Sequence, residues 1–269
     1  MYKALFLGMM NKMIHRKNRY LKLLGVLGLI LLMGCNGDSV PDCFQNTGEF
    51  IREVIPVENF TKITVNENTK LVLKEGNPIL VEVETGEFLR NEVNAEVKDG
   101  TLMLTDMNNC NFFRPYGVTT FYVTAPNITE IRSNTGFSTV SEGVLTYPQI
   151  KLISESFNDP ENLTTDGEFD LQLAAQDVNV VVNGIAYFKL SGSSANLNVI
   201  IAAGDSRVEA RSLVVQNVTL NHRGSNDVLI NPQTSLKGTI RGTGDVVSYN
   251  RPDVIDVKEL YKGKLIFND

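Results

Sequence analysis

The strongest constraint on the fold is an alternation of apolar and polar residues with a period of two, which begins at Phe60. Such alternation predicts half-buried β-strands, because successive side chains of a strand point to opposite faces. The first strands are predicted around the pairs Ile63/Val65 and Leu71/Leu73, and no segment has a convincing helical period. The sequence therefore predicts an all-β protein.

The clearest local structure is a β-hairpin at residues 95–104. Asp99-Gly100 separates two alternating runs, and both central residues of a two-residue type I′ turn need positive φ. Gly and Asp tolerate that conformation better than most residues. We therefore expect two antiparallel strands joined at Asp99-Gly100.

After about residue 128 the predicted strands become short and recur between Gly, Asn, Asp and Ser residues. The turn at 224–228 is similar to the turn at 242–246, and a related pattern precedes Leu197. A repeat near 20 residues predicts a β-solenoid, in which each coil stacks on the next. A β-sandwich is the alternative, because the spacing is irregular. We expect an all-β solenoid of short irregular coils after an N-terminal strand region that contains the hairpin.

The first 34 residues have the pattern of an export signal, with six basic residues and no acidic residue. The apolar run at 21–32 is shorter than the roughly 20 residues that a membrane-spanning helix needs. Leu32-Met33-Gly34-Cys35 resembles the lipobox of bacterial lipoproteins. The resemblance implies that Cys35 is acylated and becomes the new N-terminus. The alternative is a chance cysteine behind an ordinary signal.

Charge limits the partners of the chain. Removal of residues 1–34 takes six of 25 basic residues and none of 31 acidic ones, so the net charge falls from −6 to −12. An acidic body argues against nucleic acid and against electrostatic adhesion to anionic lipid. Membrane attachment must then come from N-terminal acyl chains, of which stable anchoring needs at least two. We expect a protein that is lipid-anchored in the cell envelope, at the outer membrane. The sequence is compatible with a domain on the periplasmic face or on the cell surface.

The predicted segments are a signal peptide at 1–34, a tether and entry segment at 35–58, an N-terminal strand region at 59–127, and solenoid coils with the C-terminal end at 128–269. Within the coils, alternation places five side chains in the core. These are Val228, Ile230, Val246, Leu265 and Phe267.

Cys43 and Cys110 are the cysteines that remain beside Cys35. In an oxidising compartment an even pair predicts a disulfide. Two unpaired thiols are the alternative, because the sequence alone does not bring the two residues together.

Several segments together resemble a known family. Residues 42–48, 60–65 and 71–76 are similar to the start of the head GIN domain family (DUF2807), the autotransporter adhesins of Bacteroidetes. The family's central hairpin is similar to residues 99–102, and its terminal repeat is similar to residues 242–252. The segment around its second cysteine is similar to Asn109 to Asn111 with Arg114. The resemblance implies a β-helical domain on an envelope lipoprotein. In addition, Asp38-Ser39-Val40 resembles the short O-glycosylation sequon of Bacteroidetes, so Ser39 is a candidate site.

Catalytic candidates are few. His222 is the one histidine after residue 34, which excludes a His-rich metal site and leaves any Ser-His-Asp triad dependent on it. It precedes a turn, so we expect it to be exposed to solvent. Asp205 with Arg207, and Asp227 with Arg223, are candidates for a polysaccharide-cleaving site but are more simply solvated corner residues. The sequence predicts no enzyme, no metal and no cofactor.

One aromatic cluster lies on a predicted loop and consists of Phe112, Phe113 and Tyr116 beside Arg114. The cluster is more simply a plug over the end of the solenoid, and a contact patch for a partner or glycan is the functional alternative. The predicted function is a non-enzymatic envelope lipoprotein that presents a β-helical domain for adhesion, for glycan or protein binding, or as a scaffold. The alternative is a carbohydrate-active β-helix enzyme, a polysaccharide lyase or hydrolase.

Overall fold

The computed structural model describes residues 42–112, 114–158 and 164–268. These residues form one curled sheet of seventeen strands, with short 3-10 helices at Asp42–Phe44 and Arg90–Glu92. The all-β prediction is confirmed. The strands are β1 (Phe50–Val54), β2 (Lys62–Val65), β3 (Thr69–Glu75), β4 (Leu80–Gly86), β5 (Val93–Lys98), β6 (Thr101–Asp106), β7 (Thr119–Ala125), β8 (Glu130–Ser133), β9 (Ser138–Leu145), β10 (Gln149–Ser154), β11 (Glu168–Val182), β12 (Tyr187–Ile201), β13 (Arg207–His222), β14 (Val228–Ile240), β15 (Val246–Ser248), β16 (Val254–Glu259) and β17 (Leu265–Phe267).

The strands from β10 onward pair in parallel, and each strand from β10 to β15 stacks on a strand that follows it. Val178 in β11 lies opposite Leu197 in β12, which lies opposite Val218 in β13, which lies opposite Leu236 in β14. The first half of β11 pairs with β9 and its second half with β10. Each long strand therefore belongs to two neighbouring stacks of paired strands within the curled sheet.

Strands β11 to β13 are 15, 15 and 16 residues long, which is longer than the short strands that the Gly and Ser positions predicted. Gly192 and Ser193, expected in a turn, instead pair in register with Leu213 and Val214. In a stack, each bend lies against an equivalent bend in the next layer, so backbone groups at the bend still find hydrogen-bond partners. Strand pairing therefore continues around the corner.

Outward-facing polar side chains also repeat from layer to layer. Asn217 donates to Asn196 at 3.2 Å, and Asn196 donates to Asp177 at 2.8 Å, along one row of the stack. Each bond joins residues that are already opposite one another in register. These ladders stabilise the register in which the inward aliphatic residues meet their equivalents.

The N-terminal strands join the same stack in an order that differs from the sequence. β2 pairs in parallel with both β6 and β8, and β3 pairs in parallel with both β7 and β9. Three antiparallel pairings lie beyond them, with β5 on β6, β4 on β7 and β1 on β4. The predicted hairpin is confirmed, because Asp99 and Gly100 have φ of 50° and 72° between β5 and β6.

The core is a column of inward side chains that continues through the layers. Val180, Val199 and Leu220 lie opposite one another and are buried, and the rings of Phe169 and Phe188 stack with centroids 4.7 Å apart. Of the five residues predicted to face inward, three are buried, namely Val228, Ile230 and Val246. Leu265 and Phe267 are half-buried, because β17 pairs on one side with β15 and ends the stack.

His222 is buried, with 0% of its surface exposed, so the prediction of a solvent-exposed turn histidine is wrong. The reason is that β13 continues as far as His222, whose side chain takes an inward position between Ile201 and Ile240 in register. Neither ring nitrogen makes a hydrogen bond of acceptable geometry. Burial lowers the pKa of His222 below 6.5, although the nearby Gly244 backbone and the Asp227 carboxylate oppose that shift.

Candidate ligand-binding site

A disulfide joins Cys43 to Cys110, which are 67 residues apart in sequence. The bond fastens the segment before β1 to the loop between β6 and β7, residues 107–118. In the chain-entropy account, closing a loop of this length stabilises the fold by roughly 4 kcal/mol. The loop therefore has a fixed position at the N-terminal end of the stack.

Arg114 holds this loop together from inside. Its side chain is buried, and its guanidinium donates to the backbone oxygens of Gln45 at 3.0 Å and Asn108 at 3.2 Å. The Gln45 amide in turn donates to the backbone oxygen of Phe88 at 2.6 Å. The prediction that Arg114 belongs to an exposed contact patch is wrong, because the guanidinium satisfies loop carbonyls that water does not reach.

Two aromatic residues of the loop are exposed. Phe112 is 68% exposed and Tyr116 is 58% exposed, while Phe113 lies outside the described residues. Phe44 packs against Phe112, with ring centroids 5.6 Å apart. The sequence reasoning missed Phe44, although its position next to Cys43 was a usable signal once Cys43 and Cys110 were paired.

Tyr116 also lines a cleft of about 350 Å³. The cleft forms where loop 107–118 meets the turn after β2, the turn after β8 and the residues before β11. Its lining combines two aromatic rings with carboxylate, amide and hydroxyl groups. The lining residues are Glu67, Asn68, Tyr116, Thr135, Gly136, Phe137, Thr164 and Asp166.

One wall of the cleft depends on Gly117. A Cβ at this position would lie 2.1 Å from Cε1 of Phe137, and φ is +63°. Glycine thus allows the loop to lie directly on the Phe137 ring. The turn that carries Phe137 is fixed from its other side by Thr135. The Thr135 hydroxyl donates to the backbone oxygen of Thr69 at 3.3 Å and accepts from the Phe137 amide at 3.2 Å.

The opposite wall carries the acidic groups. The hydroxyl of Thr164 donates to the carboxylate of Glu67 at 3.1 Å. The Asp166 carboxylate lies against the Gly136 backbone, where a Cβ would be 2.7 Å from Oδ2. None of the described lining residues is basic, and the ammonium group of Lys70 lies 5.8 Å from the Phe137 ring centroid. Such a site suits ligands that offer hydroxyl or amino donors together with an apolar face.

The sequence predicted one lining residue, Tyr116, and missed the rest. The others belong to three turns, at 67–68, 135–137 and 164–166, which are far apart in sequence. Parallel stacking places these turns at the same corner. No local motif distinguishes them from other corner residues.

The candidate catalytic pairs take part in bonds between neighbouring turns. The Asp205 carboxylate accepts from the Ser225 hydroxyl at 2.6 Å, and Arg207 donates to the Asn226 side chain at 3.3 Å. Asp227 accepts from the backbone amide of Asp245 at 3.0 Å. These contacts are those of corner residues. In the described ranges, no three His, Cys, Asp or Glu side chains gather where they would hold a metal ion.

The predictions for the first 41 residues have no structural counterpart. Cys35 and Ser39 lie outside the described residues, so lipidation and O-glycosylation stay predictions. Within the residues that the structure describes, no helix is long and apolar enough to cross a membrane.

The stacked β-sheet, with a cleft beside a disulfide-bonded loop, defines the chain as an all-β domain of stacked strands. The chain belongs to the family described as "Putative auto-transporter adhesin, head GIN domain", whose model matches residues 59–252. The family that the sequence motifs predicted is therefore confirmed. None of the curated proteins matches the chain.

Solved structures show the same fold at low identity. A "putative adhesin" from Bacteroides fragilis NCTC 9343 superposes with a TM-score of 0.73 and 19% identity, over 83% of this chain and 99% of that chain. A "Putative lipid binding protein" from Parabacteroides distasonis ATCC 8503 gives a TM-score of 0.60 and 12% identity, over 83% and 99%. A "putative adhesin" from Parabacteroides merdae ATCC 43184 gives 0.53 and 16%, over 83% and 98%.

Proposed function

We propose that this chain is a non-enzymatic lipoprotein of the cell envelope, anchored through Cys35, whose β-domain binds a glycan in the cleft beside Tyr116. The observation that supports the proposal is the cleft itself, where the Tyr116 and Phe137 rings face carboxylate and hydroxyl groups. Sugars present both kinds of surface, with hydroxyl groups at their edges and C–H groups on their ring faces. The adhesin-like role of the family agrees with a binding function.

The cleft is suited to binding without large rearrangement. Its walls are turns of a hydrogen-bonded stack, and the disulfide and Arg114 fix the loop that carries Tyr116. A preorganised site loses little conformational freedom when the ligand binds. Specificity in such a site comes from a few polar groups, here Glu67, Asn68 and Asp166.

A binding experiment with matched variants tests the proposal. Envelope glycans are titrated calorimetrically against the lipid-anchored protein in detergent, with Tyr116→Ala and Asp166→Asn as the cleft variants. We expect each variant to weaken binding by about tenfold, since an aromatic contact or a charged hydrogen bond contributes about 1–1.5 kcal/mol. The control is Tyr261→Ala, because Tyr261 is also 58% exposed but lies next to the last strand. Equal affinity of all four proteins would contradict the proposal.

A carbohydrate-active enzyme is the second candidate, and one observation favours it. Glu67 and Asp166 place two carboxyl groups in the same cleft, and glycoside hydrolysis uses a pair of carboxyl groups across the scissile bond. Asp166→Asn separates the two functions. An enzyme would lose turnover of the glycan by several orders of magnitude while keeping most of its affinity, whereas a binding protein shows no turnover before the change.

A further inference from the structure

We propose that the N-terminal end of the stack docks, through Phe44 and Phe112, on the lipid surface that holds the acyl anchor. We define the disulfide cap as residues 42–46, 107–112 and 114–118, joined by the bond between Cys43 and Cys110. The partner is the boundary between headgroups and acyl chains of a zwitterionic phospholipid layer. This inference rests on the proposed anchoring through Cys35.

The tether is short. Seven residues lie between Cys35 and Cys43, and a fully extended chain over these eight residue steps spans at most about 29 Å. Because Cys43 is bonded to Cys110, loop 107–118 has nearly the same limit. An acylated Cys35 therefore keeps this end of the stack within about one protein diameter of the membrane.

The cap has no net charge. Asp42 is its one acidic residue, and its one basic residue is Arg114, whose guanidinium is buried against loop carbonyls. The chain after residue 34 carries a net charge of −12. A zwitterionic surface has no net charge, so the aromatic end can enter the interface with little loss of charge hydration, whereas the charged groups on the remainder of the body would lose water without a partner.

The apolar side chains of the cap are both exposed and rigidly held. Phe44 and Phe112 pack together yet are each about half or more exposed, and Met107 in the same loop is 64% exposed. The disulfide and Arg114 fix both sides of this pair, so contact with lipid requires little ordering of the loop. Aromatic side chains that are exposed beside polar amides are typical of the membrane interface.

The opposite end differs in chemistry although it also exposes apolar residues. Val254 and Ile255 in β16 are exposed, but Asp256, Lys258 and Glu259 of the same strand are exposed with them. Charges interleaved with apolar residues oppose burial in lipid, because each charge would lose water without a partner. The two ends therefore provide a test site and a control site in one protein.

The chain contains no Trp, so one introduced indole reports on one position. Phe112→Trp and, as control, Tyr261→Trp are prepared in the full lipoprotein and reconstituted in phosphatidylcholine vesicles, with and without brominated acyl chains. We expect the fluorescence of the Phe112→Trp protein to shift to shorter wavelength on the vesicles and to be quenched by bromine, and that of the Tyr261→Trp protein to do neither. Adding Phe44→Ser to the Phe112→Trp protein is expected to reduce the quenching.

Each other outcome overturns the proposal in a distinguishable way. If the Phe112→Trp protein attaches to vesicles while its fluorescence stays unshifted and unquenched, the proposed docking is wrong and the proposed anchoring through Cys35 is supported. If the protein does not attach, as expected for Cys35→Ser, both the anchor and the docking are removed. If the fluorescence of the Phe112→Trp protein shifts before vesicles are added and the shift depends on protein concentration, the surface belongs to a contact with a second copy of the chain.

Discussion

Replacing His222 by Ile is expected to stabilise the protein at neutral pH. The imidazole is fully buried between Ile201 and Ile240 in register, and neither of its nitrogens makes a hydrogen bond of acceptable geometry. A buried polar group without a partner costs about 1–3 kcal/mol, and Ile has a similar volume and suits a strand. We therefore expect a gain of about 1–3 kcal/mol, with about 2–4 °C in Tm for each kcal/mol.

The same residue makes stability depend on pH. Burial lowers the pKa of His222 below its unfolded value of 6.5, so the unfolded chain binds this proton first as pH falls. The free energy of unfolding is therefore not reduced by this titration above pH 6.5. Below pH 6.5 it decreases, by at most about 1.4 kcal/mol per pH unit. Carboxylates affect stability at lower pH. The Tyr187 hydroxyl lowers the pKa of Glu209 below 4.5, so the stability that ionised Glu209 contributes is lost only below about pH 4.5.

Urea denaturation at about pH 7.5, 6.5, 5.8 and 5.0, which brackets the unfolded pKa of histidine, measures both effects. His222→Gln serves as a matched control, because it keeps an unpartnered polar group but removes the titration. We expect His222→Ile to gain stability and lose the pH slope, and His222→Gln to lose the slope without the gain. A slope between about pH 6.5 and 5.8 that persists in His222→Ile, or a lower stability of that variant, would refute the reasoning.

Two further predictions concern the core and the cap. Val228→Asp places a charge in a dry layer, so we expect its thermal melting to show a loss of several kcal/mol of stability. Asp227→Ala removes one hydrogen bond to a neighbouring turn, so we expect a loss of about 1 kcal/mol and no effect of a chelator on melting. Equal melting of Val228→Asp and wild type would contradict the inward position. Changing Cys43 and Cys110 together to Ser is expected to cost about 2–4 kcal/mol in urea denaturation, and an unchanged midpoint would show that the bond does not stabilise the domain.

The sequence predicted those features that depend on neighbouring residues. Alternation identified the strands, and Asp99-Gly100 identified the hairpin, because both are local properties of the backbone. Val228 and Val246 were placed in the core for the same reason. Strand length was not predictable at Gly192, because whether a bend remains paired depends on the equivalent bend in the next layer.

The errors concern residues whose environment comes from distant parts of the chain. Arg114 is charged and lies on a loop, so its sequence context indicates exposure, but the disulfide brings the carbonyl of Gln45 within reach of its guanidinium. His222 stands beside a turn, but strand register assigns it to the core column. In both cases a contact between residues far apart in sequence decides the burial, and no local pattern encodes that contact.

The proposed functions gather at the N-terminal end of the stack because the repeat of equivalent corners is broken there. Where layers repeat, each corner packs on an equivalent corner, as Asp227 does with Asp245, and leaves little space for a ligand. Loop 107–118 breaks that repeat and has to be held by the disulfide and by Arg114. That loop presents Tyr116 to the cleft and Phe112 to the outside, so one covalent bond positions both surfaces. The proposed ligand binding and membrane docking are therefore coupled through the disulfide, although they use different side chains.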